Sequence, residues 1–154
     1  MRKAEKLLVS SIKARKKGKI LKAKVCQGLL RTLFGCDIMY TSDIHESIQL
    51  VHNGLGCVFH PGVIIGNGCR IYQNVTLGGN GKIVNGEPIN KGGPRLEDNV
   101  TVFAGACVLG PITIGEGSII GANAVVTRDV PPNSIAVGSP AVIKPKKYEY
   151  NFGN

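Results

Sequence analysis

Three histidines lie close together in the first half of the chain, and they are the side chains best suited to acid–base chemistry. They are His45, His52 and His60. An imidazole has an ordinary pKa of roughly 6.5, so it can take a proton from a substrate hydroxyl at neutral pH. Their residue types and spacing do not favour one of the three. The histidines therefore indicate general-base catalysis without assigning it to a position.

Cysteine is the other residue type that could do chemistry. The five cysteines are Cys26, Cys36, Cys57, Cys69 and Cys107. They are odd in number, form no CxxC pair or His/Cys metal spacing, and follow no apolar secretory segment. We therefore expect reduced thiols in a cytoplasmic protein, with no metal centre and no catalytic cysteine.

The elements that must position these residues follow a six-residue period. Aliphatic residues recur at this step in three runs: Ile38, Ile44, Leu50; then Ile65, Ile71, Leu77; then Leu96, Val102, Val108, Ile114, Ile120, Val126. A period of six matches neither the 3.6 of an α-helix nor the 2 of a simple strand. It is typical of a parallel β-helix, in which three hexapeptides close one triangular coil and stacked coils bury the aliphatic residues. Residues 38–143 would supply about five coils.

The period is interrupted once, between Leu77 and Leu96. These residues are 19 positions apart, which is one step of six plus 13 extra residues. We expect a loop over about residues 80–93 that leaves one corner of the coil, with stacking resuming after it. Inserted loops on one face of a repeat protein commonly contribute to binding.

The amino-terminal segment is strongly basic. Ten of the 19 basic residues fall in the first 24 positions, and the formal net charge is +9. One interpretation is an amphipathic helical segment over residues 1–35, interrupted at Gly18 and capped by Gly35, with solvated lysines and a buried stripe formed by Leu21, Val25, Leu29 and Leu33. The other is contact with an anionic membrane surface. No interleaved aromatic residues suggest base stacking, so a nucleic-acid partner is not expected.

Two further segments point to a family. Together with the six-residue period, "VTLGGNGK" at Val75 to Lys82 and "DVPPNSIAVGSPAVI" at Asp129 to Ile143 resemble the hexapeptide acyltransferases. The order "CDI…LVHNGLG" followed by "VTLGG" is similar to the serine O-acetyltransferases. The resemblance implies a left-handed parallel β-helix over residues 36–144, a carboxyl-terminal tail over residues 145–154, and a cytoplasmic homotrimer with active sites between subunits.

The same resemblance implies the catalytic residues. The family's catalytic histidine falls on His52 and its partnering aspartate on Asp37, with the family's spacing of 15 preserved. A carboxylate on one ring nitrogen would hold the imidazole tautomer and stabilise the imidazolium that forms. We expect His45 to be exposed at a corner. His60, in "VFHPG", is the rival for the role of base. The alternative for His60 is a structural histidine on the outer wall, hydrogen-bonded to the backbone.

The resemblance also implies acetyl-CoA as the acetyl donor. Its contacts fall on Gly79 and Asn80 beside the loop and on Ala104 and Ala122 on successive coils. A backbone amide at Gly78 or Gly79 would stabilise the developing oxyanion. Lys144 is the residue expected near the CoA phosphates, with Lys146 and Lys147 beside it.

The chain departs from the family pattern mainly where the acceptor binds. Val51 replaces an acidic residue before the catalytic histidine, and Gly92-Gly93 replaces an Arg-His pair. Phe103 replaces a glycine beside the CoA wall, and residues 1–35 are expected to form a reduced helical domain. The final residues "YNFGN" differ from the family's terminal isoleucine, so docking into cysteine synthase is not expected. Serine is the first expected acceptor. A sugar hydroxyl in surface polysaccharide or glycolipid synthesis, and a non-catalytic scaffold or membrane-docking module, are the alternatives.

Overall fold

The β-strands build a three-walled coil. The computed structural model describes residues 1–89 and 91–151. The first wall contains β1 (Asp37–Ile38), β4 (Val58–Phe59), β7 (Thr76–Gly78), β12 (Cys107–Leu109) and β15 (Val125–Val126). The second contains β2 (Asp43–Ile44), β5 (Ile64–Ile65), β10 (Arg95–Leu96) and β13 (Thr113–Ile114). The third contains β3 (Gln49–Leu50), β6 (Arg70–Ile71), β11 (Thr101–Val102), β14 (Ile119–Ile120), β16 (Ser134–Val137) and β17 (Val142–Pro145).

Strands within each wall are parallel, except that β17 returns antiparallel to β16 and closes the far end. The predicted interruption is visible in the register. Arg95 pairs with Thr113, 18 positions later, but its partner on the other side is Ile64, 31 positions earlier. The 13 additional residues leave the corner after β7 and include a short antiparallel hairpin of β8 (Ile83–Val84) and β9 (Glu87–Pro88). The fold is thus mainly β, as predicted.

The six-residue period corresponds to the buried column inside the coil. Every aliphatic residue of the three predicted runs is 2% exposed or less.

The corners of the coil require glycine where a neighbouring asparagine packs against the backbone. A Cβ added at Gly105 would overlap Oδ1 of Asn123, and Gly105 has a φ of 72°. Only glycine tolerates both the crowding and the left-handed backbone at this corner.

Two helices precede the coil, α1 (Lys3–Lys16) and α2 (Ile20–Phe34). Gly18 (φ 70°) turns the chain between them, and Gly35 (φ 63°) caps α2 in the left-handed conformation, as predicted. The buried carboxylate of Glu5 fixes α1 to the coil, because its Oε1 accepts a hydrogen bond from the Leu50 amide at 2.9 Å. Arg2 donates to the same carboxylate at 2.9 Å and balances its charge.

The predicted buried stripe of α2 is wrong. Leu21, Val25, Leu29 and Leu33 are 78%, 53%, 40% and 65% exposed. The helix buries Ala23, Cys26 and Leu30 instead. The physical reason is that α1 supplies the large side chains that join the core of the coil, including Leu8 and Ile12. The apolar residues of α2 encircle most of the helix, so their period alone does not identify the covered face.

Neither helix in the described ranges is long and apolar enough to span a bilayer. Asn90 of the predicted loop and residues 152–154 of the predicted tail lie outside the described residues.

Candidate active site

His52 lies at the corner between the third and first walls, in a short 3-10 turn over Val51–Gly54. Its φ and ψ are 53° and 37°, and Asn53 beside it is also left-handed, a conformation that is uncommon for residues with a Cβ. Cys36 secures the turn by donating from Sγ to the carbonyls of Asn53 (3.2 Å) and Gly54 (3.0 Å). The His52 side chain is exposed. The turn therefore presents an accessible imidazole on a constrained backbone.

Asp37 begins β1, at the first wall of the first coil. Its Oδ2 accepts from Nη2 of Arg31 at 2.6 Å. Its Oδ1 is buried and has no hydrogen-bond partner among the residues that the structure describes. Between the side chains of the described residues, no hydrogen bond joins Asp37 to His52, so their catalytic pairing stays a prediction.

Asp37 and His52 are nevertheless linked through a residue next to each of them. Cys36 precedes Asp37, and its thiol bonds to the carbonyl of Asn53, which follows His52. Burying a carboxylate oxygen without a partner is costly. Oδ1 is therefore the atom of Asp37 that a donor such as an imidazole N–H would satisfy.

An aromatic row extends from His52 along the same corner. The Tyr72 ring lies edge-on to the His52 ring with centroids 6.3 Å apart, and the Phe103 ring stacks on Tyr72 at 4.7 Å. Sequence reasoning missed Tyr72 as a site residue. The signal was present, because Tyr72 follows the inward-facing Ile71 as Phe103 follows Val102, in equivalent positions of successive coils.

The predicted donor-binding residues fall into separate groups. Ala104 follows Phe103 at the His52 corner, and its carbonyl accepts from the amide of Asn123 at 2.9 Å, so Ala104 and Ala122 lie on successive coils there. Gly78 ends β7 at the next corner, between the first and second walls. Gly79 and Asn80 line a cavity of about 430 Å³ at that corner. Within the described parts of the chain, no hydrogen bond links the two groups.

Lys144 lies exposed on β17, in the closing hairpin. Lys146, by contrast, is engaged by the protein, because its Nζ donates to the carbonyl of Gly117 at 3.0 Å.

The other two histidines lie at other corners. His60 is hydrogen-bonded to the backbone, because its Nδ1 accepts from the Gly62 amide at 3.0 Å. It lines the cavity that contains Gly79 and Asn80. His45 is exposed, as predicted, and its Nδ1 lies 2.8 Å from the hydroxyl of Ser47. Each histidine thus occupies a different corner of the coil, and only His52 has the aromatic row beside it.

A second cavity, of about 390 Å³, adjoins the aromatic row. It is lined by Val51, Arg70 and Tyr72 from the coil, and by Arg2 and Glu5 at the start of α1. Arg70 donates from Nε to Oε1 of Gln49 at 3.1 Å. A guanidinium can hold a carboxylate through charge-assisted hydrogen bonds. The cavity thus brings a cationic group close to the residues that flank His52.

Three cysteines are poorly suited to nucleophilic chemistry. Burial raises the pKa of the Cys36 and Cys69 thiols to about 11 and that of Cys57 to about 12. These thiols remain protonated at neutral pH. No group of three or more His, Cys, Asp or Glu residues suited to a metal occurs among the residues that the structure describes.

Known proteins with similar sequences share the repeat seen in this coil. Residues 93–128 match the family model "Bacterial transferase hexapeptide (six repeats)". Over 112 residues the chain is 46% identical to a serine acetyltransferase of Synechococcus elongatus, a match that covers 73% of this chain and 43% of the relative. The chain belongs to the hexapeptide-repeat acyltransferase superfamily. The resemblance to serine O-acetyltransferases predicted from its motifs is confirmed.

Other relatives extend this agreement. A Helicobacter pylori serine acetyltransferase is 41% identical over 119 residues, covering 77% of this chain and 66% of the relative. The crystal structure of Neisseria gonorrhoeae serine acetyltransferase in complex with serine matches with a TM-score of 0.77 and 30% identity, over 92% of this chain and 55% of that one. The structure of the soybean serine acetyltransferase apoenzyme matches with a TM-score of 0.78 and 33% identity, over 92% of this chain and 56% of that one. The chain spans about half the length of the first curated relatives it matches.

Proposed function

We propose that this protein transfers the acetyl group of acetyl-CoA to the hydroxyl of serine, with His52 as general base. The observation that carries the proposal is the exposed His52 imidazole, held in a left-handed turn at the corner where Tyr72 and Ala104 lie on the next coils. The relatives support serine as the acceptor, since those compared are named serine acetyltransferases. The alternative acceptor, a sugar hydroxyl, finds no support among them.

The proposed reaction is a direct transfer. His52 takes the proton of the serine hydroxyl as its oxygen attacks the carbonyl carbon of the thioester. The new C–O bond forms as the C–S bond breaks, and the imidazolium returns the proton to the departing CoA sulfur. Oδ1 of Asp37 accepts a hydrogen bond from the other ring nitrogen and stabilises the imidazolium. The amide of Gly78 or Gly79 stabilises negative charge on the carbonyl oxygen.

The second cavity offers a place for the acceptor. Arg70 supplies a positive charge for the serine carboxylate. Tyr72 lies between this cavity and His52. This arrangement replaces the Arg-His pair that the loop lacks at Gly92-Gly93.

We further propose that each active site is shared by two subunits of a homotrimer whose coils wind left-handed. The donor-binding residues of one chain fall at two corners, with Ala104 and Ala122 at the first and Gly79 and Asn80 at the second. One acetyl-CoA molecule contacts both groups if the first corner of one chain packs against the second corner of its neighbour. Lys144 would then meet the CoA phosphates.

The proposed location is the cytoplasm. All five cysteines are free thiols, and four of them are buried. This usage suits a reducing compartment, where acetyl-CoA is also available.

The experiment that tests the function is a thiol-release assay. Purified protein and acetyl-CoA are mixed with serine, and free CoA is measured with a thiol reagent while the acetylated product is identified by mass. Release that depends on serine supports the proposal. Binding of acetyl-CoA without release in the presence of serine would instead contradict it and leave a non-catalytic scaffold.

A further inference from the structure

An apolar stripe faces solvent along the whole length of α2. Leu21, Val25, Leu29 and Leu33 follow one another at intervals of four, so they lie on one side of the helix. The residues of α2 that pack on the protein are Ala23, Cys26 and Leu30, which lie on a different side of the helix. A row of exposed apolar side chains of this length indicates a surface that is covered by something else in the working protein.

A basic groove runs next to this stripe. It has a volume of about 440 Å³, lies between α1 and α2, and is lined by no acidic residue. Its lysines are Lys6, Lys13, Lys17, Lys19 and Lys22. Of these five lysines, only Lys13 forms an ion pair with a described residue, which is Glu46 at 3.1 Å. The groove therefore presents concentrated positive charge without an internal counterion for most of its lysines.

The groove and the stripe form one continuous surface. Lys22 lines the groove and directly follows Leu21, the first residue of the stripe on α2. α2 contains no acidic residue at all. A helix with an exposed apolar face and lysines along it is the arrangement that binds at a membrane interface, with apolar groups below the headgroups and cations among them.

We propose that α2 docks this protein onto an anionic phospholipid surface. Leu21, Val25, Leu29 and Leu33 enter the boundary between headgroups and acyl chains, and the basic groove binds lipid phosphates. Charge selects this occupant over a second copy of the chain. Two copies meeting through the same face would bring two sets of lysines together with no carboxylate on α2 to balance them.

The test is sedimentation of the full-length protein with lipid vesicles. Vesicles of phosphatidylglycerol mixed with phosphatidylcholine should pellet the protein, and vesicles of phosphatidylcholine alone should not. The triple variant Lys17→Gln/Lys19→Gln/Lys22→Gln should lose on the order of 100-fold in apparent affinity, since each lysine near an anionic surface contributes about fivefold. The triple variant Leu21→Ser/Val25→Ser/Leu29→Ser should lose binding to a similar extent, and its exposed positions should leave the melting temperature unchanged.

Matched controls come from the inserted loop. Ile83→Ser/Val84→Ser removes two apolar side chains that are 65% and 49% exposed, and Lys82→Gln/Lys91→Gln removes two exposed lysines. Both controls should bind anionic vesicles as the unchanged protein does.

Three results would overturn the proposal. The first is equal binding to neutral and anionic vesicles, or none to either. The second is equal loss in the loop controls, which would show non-specific adhesion. The third is a stripe variant, Leu21→Ser/Val25→Ser/Leu29→Ser, that still binds vesicles but has a changed molar mass by light scattering. That result would assign the stripe to contacts between copies of the chain.

Discussion

The guanidinium of Arg31 lies 2.6 Å from the carboxylate of Asp37, which ties the second helix to the first coil. Arg31 is 62% exposed and Asp37 is 33% exposed, so the ion pair lies at the surface. By itself such a pair contributes little to stability. The contact matters because it holds Oδ2 of Asp37 in place. The orientation of the buried Oδ1 is then fixed as well.

Arg31 should therefore act as a positioning residue. Arg31→Gln is expected to lower kcat by roughly tenfold while leaving the melting temperature almost unchanged. Steady-state kinetics and thermal unfolding measure the two effects separately.

Arg31→Lys is the matched control, since it retains the charge. It should restore most of the lost kcat. An unchanged kcat in Arg31→Gln would show that the contact between Arg31 and Asp37 does not matter for turnover.

Tyr72 should affect turnover through its ring. Tyr72→Ala removes the edge contact with His52 and the stack with Phe103. Aromatic pairs of this kind contribute about 0.5–1.5 kcal/mol beyond their buried area, so kcat/KM should fall by roughly tenfold. Tyr72→Phe keeps both rings together and should remain within about twofold of the unchanged protein. Equal losses in the two variants would assign the effect to the hydroxyl instead.

A shared active site makes a quantitative prediction for mixed trimers. His52→Ala removes the base from one corner, and Gly79→Trp fills the other corner with a bulky side chain. Each variant alone should be inactive. When the two are denatured and refolded together in equal amounts, about one quarter of the sites should combine an intact His52 corner with an intact Gly79 corner. Recovery of activity near that fraction supports the shared site, whereas no recovery would place every site within a single chain.

The buried thiols predict a loss of stability at alkaline pH. The pKa of Cys57 is raised by burial from 9.0 to about 12, and those of Cys36 and Cys69 are raised to about 11. Above the ordinary thiol pKa the unfolded chain releases these protons and the folded chain retains them. The folded state therefore loses about 1.4 kcal/mol per pH unit for each such thiol until pH reaches the folded pKa.

Urea unfolding at several pH values from about 8 to 11 measures this slope. Cys57→Ala should be less stable throughout because it leaves a cavity, but its pH slope should be shallower. An identical slope in Cys57→Ala would mean that this thiol does not contribute.

Much of the fold was predictable because its repeat is short and strict. Leu96 to Val126 keep one step of six, and each of these residues lies in the buried column. The insertion could be placed because the period resumes in phase at Leu96. The covered face of α2 could not be predicted, since Leu21 and Leu30 are equally apolar and only the position of α1 determines which is buried.

The site was predictable only in part. The resemblance assigned His52 and Asp37, but no pattern connects Arg31, six positions earlier on a helix, with the Asp37 carboxylate. Tyr72 and Phe103 share a position in successive coils, so their stacking follows from the repeat. The separation of Gly79 from Ala104 at different corners appears only when each turn is assigned to a wall.

The most direct test of the central claim is the rate of CoA release from acetyl-CoA and serine by His52→Ala, with His60→Ala as its matched control. Loss of a general base typically costs on the order of 10²- to 10⁴-fold in kcat. We predict a loss of this size in His52→Ala, with an unchanged oligomeric mass and melting temperature, and a smaller loss in His60→Ala. A nearly normal rate in His52→Ala, or a greater loss in His60→Ala, would contradict the assignment of the base.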